Sequence, residues 1–254
     1  MKPRFAGRFG LADAVTVTNA AVGFIAVIAA TIDVELAARL VLFGAIADAL
    51  DGIVARARGS SAAGEHLDSL ADVASFGVAP ATLVAVTVVE SGATFPDPFF
   101  VLGIAIPAVY VAMAVTRLGL YAAYDLESEE TEGVQSTLAA TLVAAAVLAG
   151  YTDPAVLVAG TAVLAALMVS RVTYPDLHAQ DAAVMGVVQA VAVLHTGYWG
   201  RVFAFALLFL AGGYLVFAPW FYWRDRLDVG ALWGGDGAGN AGGGPNDPGR
   251  RDDD

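Results

Sequence analysis

The stretch ADALDGIVARARGSSAAGEHLDSLADVASFGVAP, residues 47–80, sets four aspartates, Asp48, Asp51, Asp68 and Asp72, between long apolar segments. In a helix, Asp48 and Asp51 are three positions apart and share a face; Asp68 and Asp72 are four apart and do the same. The short connection ARGSSAAGE makes the two helices antiparallel neighbours, with both acidic pairs at one end. Four carboxylates facing one another in a low-dielectric setting repel strongly, so the pattern calls for bound cations. An all-oxygen ligand set of Asp48, Asp51, Asp68 and Asp72 favours hard divalent ions, Mg²⁺ or Mn²⁺.

The residues between the acids suit a phosphate ligand. Gly52 and Ala55 keep the helix face low beside the aspartates, and Gly64 does so beside Asp68. Arg56 adds a planar cationic fork that matches phosphate oxygens. The set fits a diphosphate-linked nucleotide bridged by metal ions.

The rest of the chain places this cluster in a membrane. Of 254 residues 58% are hydrophobic, and the mean hydropathy is +0.68; a soluble domain is about 45–50% apolar. A spanning helix needs about 20 apolar residues. Candidate spans fall near 13–32, 36–57, 66–90, 97–124, 134–150, 154–173, 182–197 and 201–222. The predicted fold is an all-α integral membrane bundle of about eight helices (six to eight), with a polar cavity facing the cytoplasm. Pro80 predicts a kink in the third span. Residues 1–12 form an N-terminal cytoplasmic segment, with the basic start MKPRFAGRFG read as a lead-in to the first span rather than a cleaved signal. Residues 13–224 form the membrane domain. Residues 225–254, rich in Gly, Asp, Asn and Pro, read as a disordered tail.

Charge sets the orientation. With the N-terminus inside and eight spans, Lys2, Arg4, Arg8, Arg56, Arg58, Arg117, Arg171, Arg224 and Arg226 fall at cytoplasmic ends. Arg39 and Arg201 fall outside, which is the positive-inside pattern. The 25 acids against 13 bases, a formal charge of −12, argue against a nucleic-acid partner. With no cysteine, thiolate metal sites, disulfides and cysteine nucleophiles are excluded.

The pattern D-x-x-D-G-x-x-A-R followed by G-x-x-x-D-x-x-x-D resembles the signature of the CDP-alcohol phosphatidyltransferases. Asp48, Asp51, Gly52, Ala55, Arg56, Gly64, Asp68 and Asp72 fill every fixed position. The resemblance implies an integral membrane transferase that moves a phosphatidyl-type group from a CDP-activated lipid to an alcohol and releases CMP. It implies metal ligation by Asp48, Asp51 and Asp68 with help from Asp72, which also acts as general base. Gly52, Ala55 and Arg56 would lie against the CDP group, with Gly64, Thr16 and Asn19 also on the nucleotide side. A homodimer in the cell membrane is implied as well.

Three further segments resemble the phosphatidylserine and archaetidylserine synthase branch: VTVTNAAVGF at 15–24, LDSLADVASFGVAPA at 67–81, and LMVSRVTYPDL at 167–177. One departs from it. Where that branch has Gly-Leu-Pro and then Pro-Ala-Ala, this chain reads EGVQSTLAAT at 132–141. L-serine is therefore the expected acceptor, with glycerol phosphate or inositol phosphate as alternatives. The acidic, lysine-poor composition is similar to that of salt-loving archaea, so CDP-archaeol is the expected donor and CDP-diacylglycerol the alternative. Arg117, Arg171 and Ser75 are the candidate contacts for the serine zwitterion. A cation transporter that uses the acids as an ion site is the competing class; it requires acids spread through the bilayer, and here they cluster at one end.

Overall fold

The computed structural model describes residues 10–58, 61, 63–120, 130–175 and 179–226. The helices are α1 (Leu11–Ala30), α2 (Val34–Arg58), α3 (Gly64–Asp72), α4 (Ala79–Glu90), α5 (Pro98–Leu120), α6 (Ser136–Leu148), α7 (Pro154–Met168), α8 (Ala179–Leu194) and α9 (Gly197–Arg226). A π-helical turn, Val73–Val78, joins α3 to α4 in one continuous rod. Among the described residues the helices thus make eight rods, at the positions the apolar stretches predict. Two short strands, β1 (Glu130–Glu132) and β2 (Thr173–Pro175), pair antiparallel, with Thr131 opposite Tyr174.

Four rods are long and apolar enough to cross a membrane: Ala12–Ala30, Gly64–Glu90, Pro98–Leu120 and Gly197–Trp220. At 25 residues α2 has the length, but it carries Glu35, Arg39, Asp48, Asp51, Arg56 and Arg58. The fifth and sixth rods, of 13 and 15 residues, are shorter than their apolar stretches, and the seventh has 16. α6 has 13 residues, about 20 Å at 1.5 Å per residue. It is nearly all buried, and its face of Ala139, Ala140, Ala144 and Ala145 lets α2 and α9 pack closely against it.

Successive rods run in opposite directions, so the start of α1, the α2–α3 turn, the ends of α5 and α7 and the β1–β2 ribbon share one end of the bundle. Hydrogen bonds confirm the two ends. Ser61 in the α2–α3 turn donates to Asp13 at 3.0 Å, near the start of α1. At the other end, Arg39 Nη1 donates to the carbonyls of Ala192 and His195, both at 2.6 Å, where α8 runs out of intrahelical donors. The ribbon is locked to α7 through Gly133, whose φ of +77° is open to glycine. A Cβ there would collide with the carbonyl oxygen of Met168.

Candidate active site

Both acidic pairs lie at the end that carries the α2–α3 turn. Asp48 and Asp51 project from the last turns of α2, Asp68 and Asp72 from α3. One carboxylate oxygen from each of Asp48, Asp68 and Asp72 lies within 4.8 Å of the other two. Exposure is graded: Asp68 is exposed, Asp48 half-buried, and Asp72 buried. Asp51 is buried as well, and its charge acts on both Asp48 and Asp68.

Asp51 is held from α1. Thr16 Oγ1 lies 2.7 Å from Asp51 Oδ2 and 3.0 Å from the carbonyl oxygen of Ala12. One hydroxyl carries one proton, and the shorter bond to a carboxylate is the stronger use of it. Asp72 and Asp48 are close enough to share a hydrogen bond, yet Asp72 Oδ1 is buried with no hydrogen-bond partner. A buried carboxylate oxygen without a partner, on one member of a carboxylate triad, is an atom that a cation would satisfy. The hard oxygen donors, their convergence and the orphaned atom all fit Mg²⁺ or Mn²⁺. A divalent ion held there supplies positive charge to diphosphate oxygens.

Arg117, near the end of α5, is buried and its charge acts on Asp72. It therefore faces the cluster, as its position in the fourth span predicts. Arg171 lies between α7 and β2 and is exposed; among the described contacts none ties it to the aspartates. Ser75 is buried, and its hydroxyl donates to the backbone carbonyl of Asn19 at 2.8 Å, so it joins the π turn to α1.

Asn19 is 1% exposed, and neither its side-chain oxygen nor its nitrogen has a partner. Its amide sits against Gly44 on α2, where a Cβ would come within 2.8 Å of Oδ1. Gly52 is half-buried on α2, and Gly64 opens α3. Ala55 and Arg56 fall on the α2 backbone; their side chains lie outside the described residues.

Two contributors escaped the sequence reading. Asp13 is 2% exposed; its Oδ2 accepts from the Gly10 N–H at 2.7 Å and its Oδ1 from Ser61. It ties the α2–α3 turn, and hence the spacing of the two acidic pairs, to α1. An acid in the first turn of an apolar span was the available signal, and it reads equally as a helix-dipole residue. The other contributor is Tyr110, whose side chain looks like any aromatic in an apolar helix.

Comparison with known proteins agrees with this geometry. A family profile described as CDP-alcohol phosphatidyltransferase matches residues 9–172. An archaetidylserine synthase of Methanothermobacter thermautotrophicus is 28% identical over 178 residues, 68% of this chain and 72% of that protein. A CDP-diacylglycerol–serine O-phosphatidyltransferase of Saccharomyces cerevisiae is 43% identical over 82 residues, 29% of this chain and 30% of that protein.

Proposed function

Since this chain belongs to the CDP-alcohol phosphatidyltransferase family, we propose that it joins a CDP-activated lipid to the hydroxyl of L-serine and releases CMP. The serine oxygen bonds to the lipid-bearing phosphorus, the bond from that phosphorus to the CMP oxygen breaks, and the hydroxyl proton passes to Asp72. The observation that carries this reading is the convergence of Asp48, Asp68 and Asp72 within 4.8 Å, with one Asp72 oxygen buried and unpartnered.

Asp48, Asp51 and Asp68, with Asp72, would hold Mg²⁺ or Mn²⁺ against the diphosphate. Thr16 keeps Asp51 aimed. Gly52, Ala55 and Gly64 leave room for the nucleotide, Thr16 and Asn19 lie on its side of the site, and Arg56 pairs with its phosphates. Arg117 holds the acceptor's carboxylate beside Asp72. The similarity to an archaetidylserine synthase and the acidic composition favour CDP-archaeol as donor. The distribution of Arg and Lys favours a cytoplasm-facing site in the cell membrane. Residues 13–224 would form this membrane domain and function as a homodimer.

The test supplies membranes containing the protein with CDP-archaeol or CDP-diacylglycerol and with labelled serine, glycerol phosphate or inositol phosphate. Serine is expected to enter lipid with equimolar CMP release, and chelation should stop it. Incorporation of either phosphorylated acceptor in place of serine would overturn the acceptor assignment.

A further inference from the structure

The segment Ser75-Phe76-Gly77, just past Asp72, is gripped from both sides. On the α1 side, Ser75 donates to the Asn19 carbonyl. There Gly23 brings the backbones so close that a Cβ would sit 2.9 Å from Ser75 Cα and from the carbonyl carbon of Ala74. On the α5 side, a Cβ at Gly77 would rest 3.5 Å from Ala114 Cβ, and Tyr110 Oη donates to the carbonyl oxygen of Phe76 at 3.1 Å. Phe76 and Tyr110 are both fully buried, so bulk water does not reach that carbonyl.

Pro80 explains why the carbonyl is open. In an α-helix the Phe76 oxygen accepts from the N–H of residue 80, and proline has none. The helix answers with a π turn, in which Ala79 N–H reaches back five residues to Ala74. The consequence bears on Asp72. An unbroken α-helix would set Asp72 on the same face as Ala79 and Leu83, seven and eleven residues on, both buried in the core. The extra residue of the π turn offsets the two faces by roughly 100°. Asp72 then lines up with Pro80 and Val84, eight and twelve residues on and buried as well, so the turn sets the rotation of the α3 acids relative to the core face of α4.

We propose that Tyr110 is a positioning residue for the reaction: by donating to the Phe76 carbonyl that Pro80 leaves open, it holds the π turn that aims Asp72 at the metal site. The inference rests on the transferase reading for its effect on turnover, but not for its effect on cation binding.

The test measures Mn²⁺ affinity by paramagnetic resonance on the purified full chain, with turnover at saturating Mn²⁺ alongside. Tyr110→Phe keeps the ring and removes the donor. It is expected to weaken Mn²⁺ binding and lower kcat by at least threefold each, in protein that elutes and melts as folded. Pro80→Ala alone supplies a backbone N–H for the same carbonyl, which lets the helix close without the π turn, and should weaken Mn²⁺ binding and lower kcat likewise. A purely structural tyrosine would lower the melting temperature and leave the affinity of the folded fraction alone. Tyr110→Phe with Mn²⁺ affinity within threefold of wild type overturns the proposal, as does a folded Pro80→Ala variant that keeps wild-type affinity. If Tyr110→Phe does not survive extraction, Pro80→Ala decides: weakened Mn²⁺ binding in folded protein supports the proposal, and wild-type affinity overturns it. A wild-type chain that turns over no CDP-lipid, yet shows the Mn²⁺ pattern, would sink the transferase reading and leave the positioning role standing.

Discussion

Thr16 and Asp51, 35 positions apart in the chain, meet through a 2.7 Å hydrogen bond that ties the middle of α1 to the acidic end of α2. Both side chains are buried, so bulk water is a poor replacement for the hydroxyl. Thr16→Val keeps the shape and removes the donor. It should destabilise the protein by about 1–3 kcal/mol, the range for a buried acceptor deprived of its partner. Thr16→Ser should be close to neutral. Unfolding in denaturant, compared between the two variants, checks this; equal stabilities would mean that the bond is not needed.

Gly23 offers a steric prediction with an internal control. A Cβ there would meet Ser75 Oγ at 2.8 Å and backbone atoms of the π turn at 2.9 Å, too close for either to stay put. Gly23→Ala should therefore destabilise by about 1–3 kcal/mol, as overpacking does, and should reduce Mn²⁺ affinity by shifting the turn beside Asp72. Gly160 on α7 has nothing within 4 Å of its missing Cβ. Gly160→Ala should be neutral or slightly stabilising, since alanine is the better helix former by about 1 kcal/mol.

Much of this was legible in sequence because the membrane imposes long apolar runs, and eight of them are hard to misplace. The convergence of the acids followed from two spacings, three and four, plus a short turn. What stayed hidden depended on contacts between distant segments. Pro80 read as a kink, whereas its effect is a π turn braced by Tyr110, and nothing in the residue types announces that hydrogen bond. Glu130–Glu132 pairs with Thr173–Pro175 more than 40 positions away, a contact that the residue types do not announce. Ser75 read as a contact for the acceptor; its hydroxyl is bound to the Asn19 carbonyl. The α6 stretch, 134–150, is short for a span, and its buried alanines show why: the helix is sheltered by its neighbours.

Asp72 separates two roles that a single loss of activity would merge. As the proposed base it takes the serine proton, a service worth roughly 10²–10⁴ in rate. As a ligand it helps hold the ion. Asp72→Asn retains an oxygen donor and gives up the base. We expect turnover to fall by at least about a hundredfold, with CDP-lipid binding retained in the presence of Mn²⁺. Full removal of divalent ions from wild type should abolish both. Calorimetry with a CDP-lipid and a radiolabel assay together distinguish the cases; near-wild-type turnover in Asp72→Asn would remove it as the base.

The acceptor prediction turns on two arginines that sequence alone could not rank. Serine reaches the site as a zwitterion, and its carboxylate must exchange water for a cation or several donors. Arg117 is buried and acts on Asp72, whereas Arg171 is exposed beyond the end of α7. A cation that already neighbours the proposed base is placed to bring the serine hydroxyl to it. Arg117→Lys keeps the charge but loses the fork that binds two oxygens at once. It should raise the KM for serine about tenfold, equivalent to about 1.4 kcal/mol, while the KM for the CDP-lipid stays within twofold. Arg171→Ala should leave both constants unchanged. Steady-state kinetics with each substrate varied in turn decide the matter. If Arg117→Lys raises the CDP-lipid KM instead, the guanidinium belongs to the nucleotide side. A serine KM that Arg171→Ala alone raises would move the carboxylate to the β1–β2 end of the cavity.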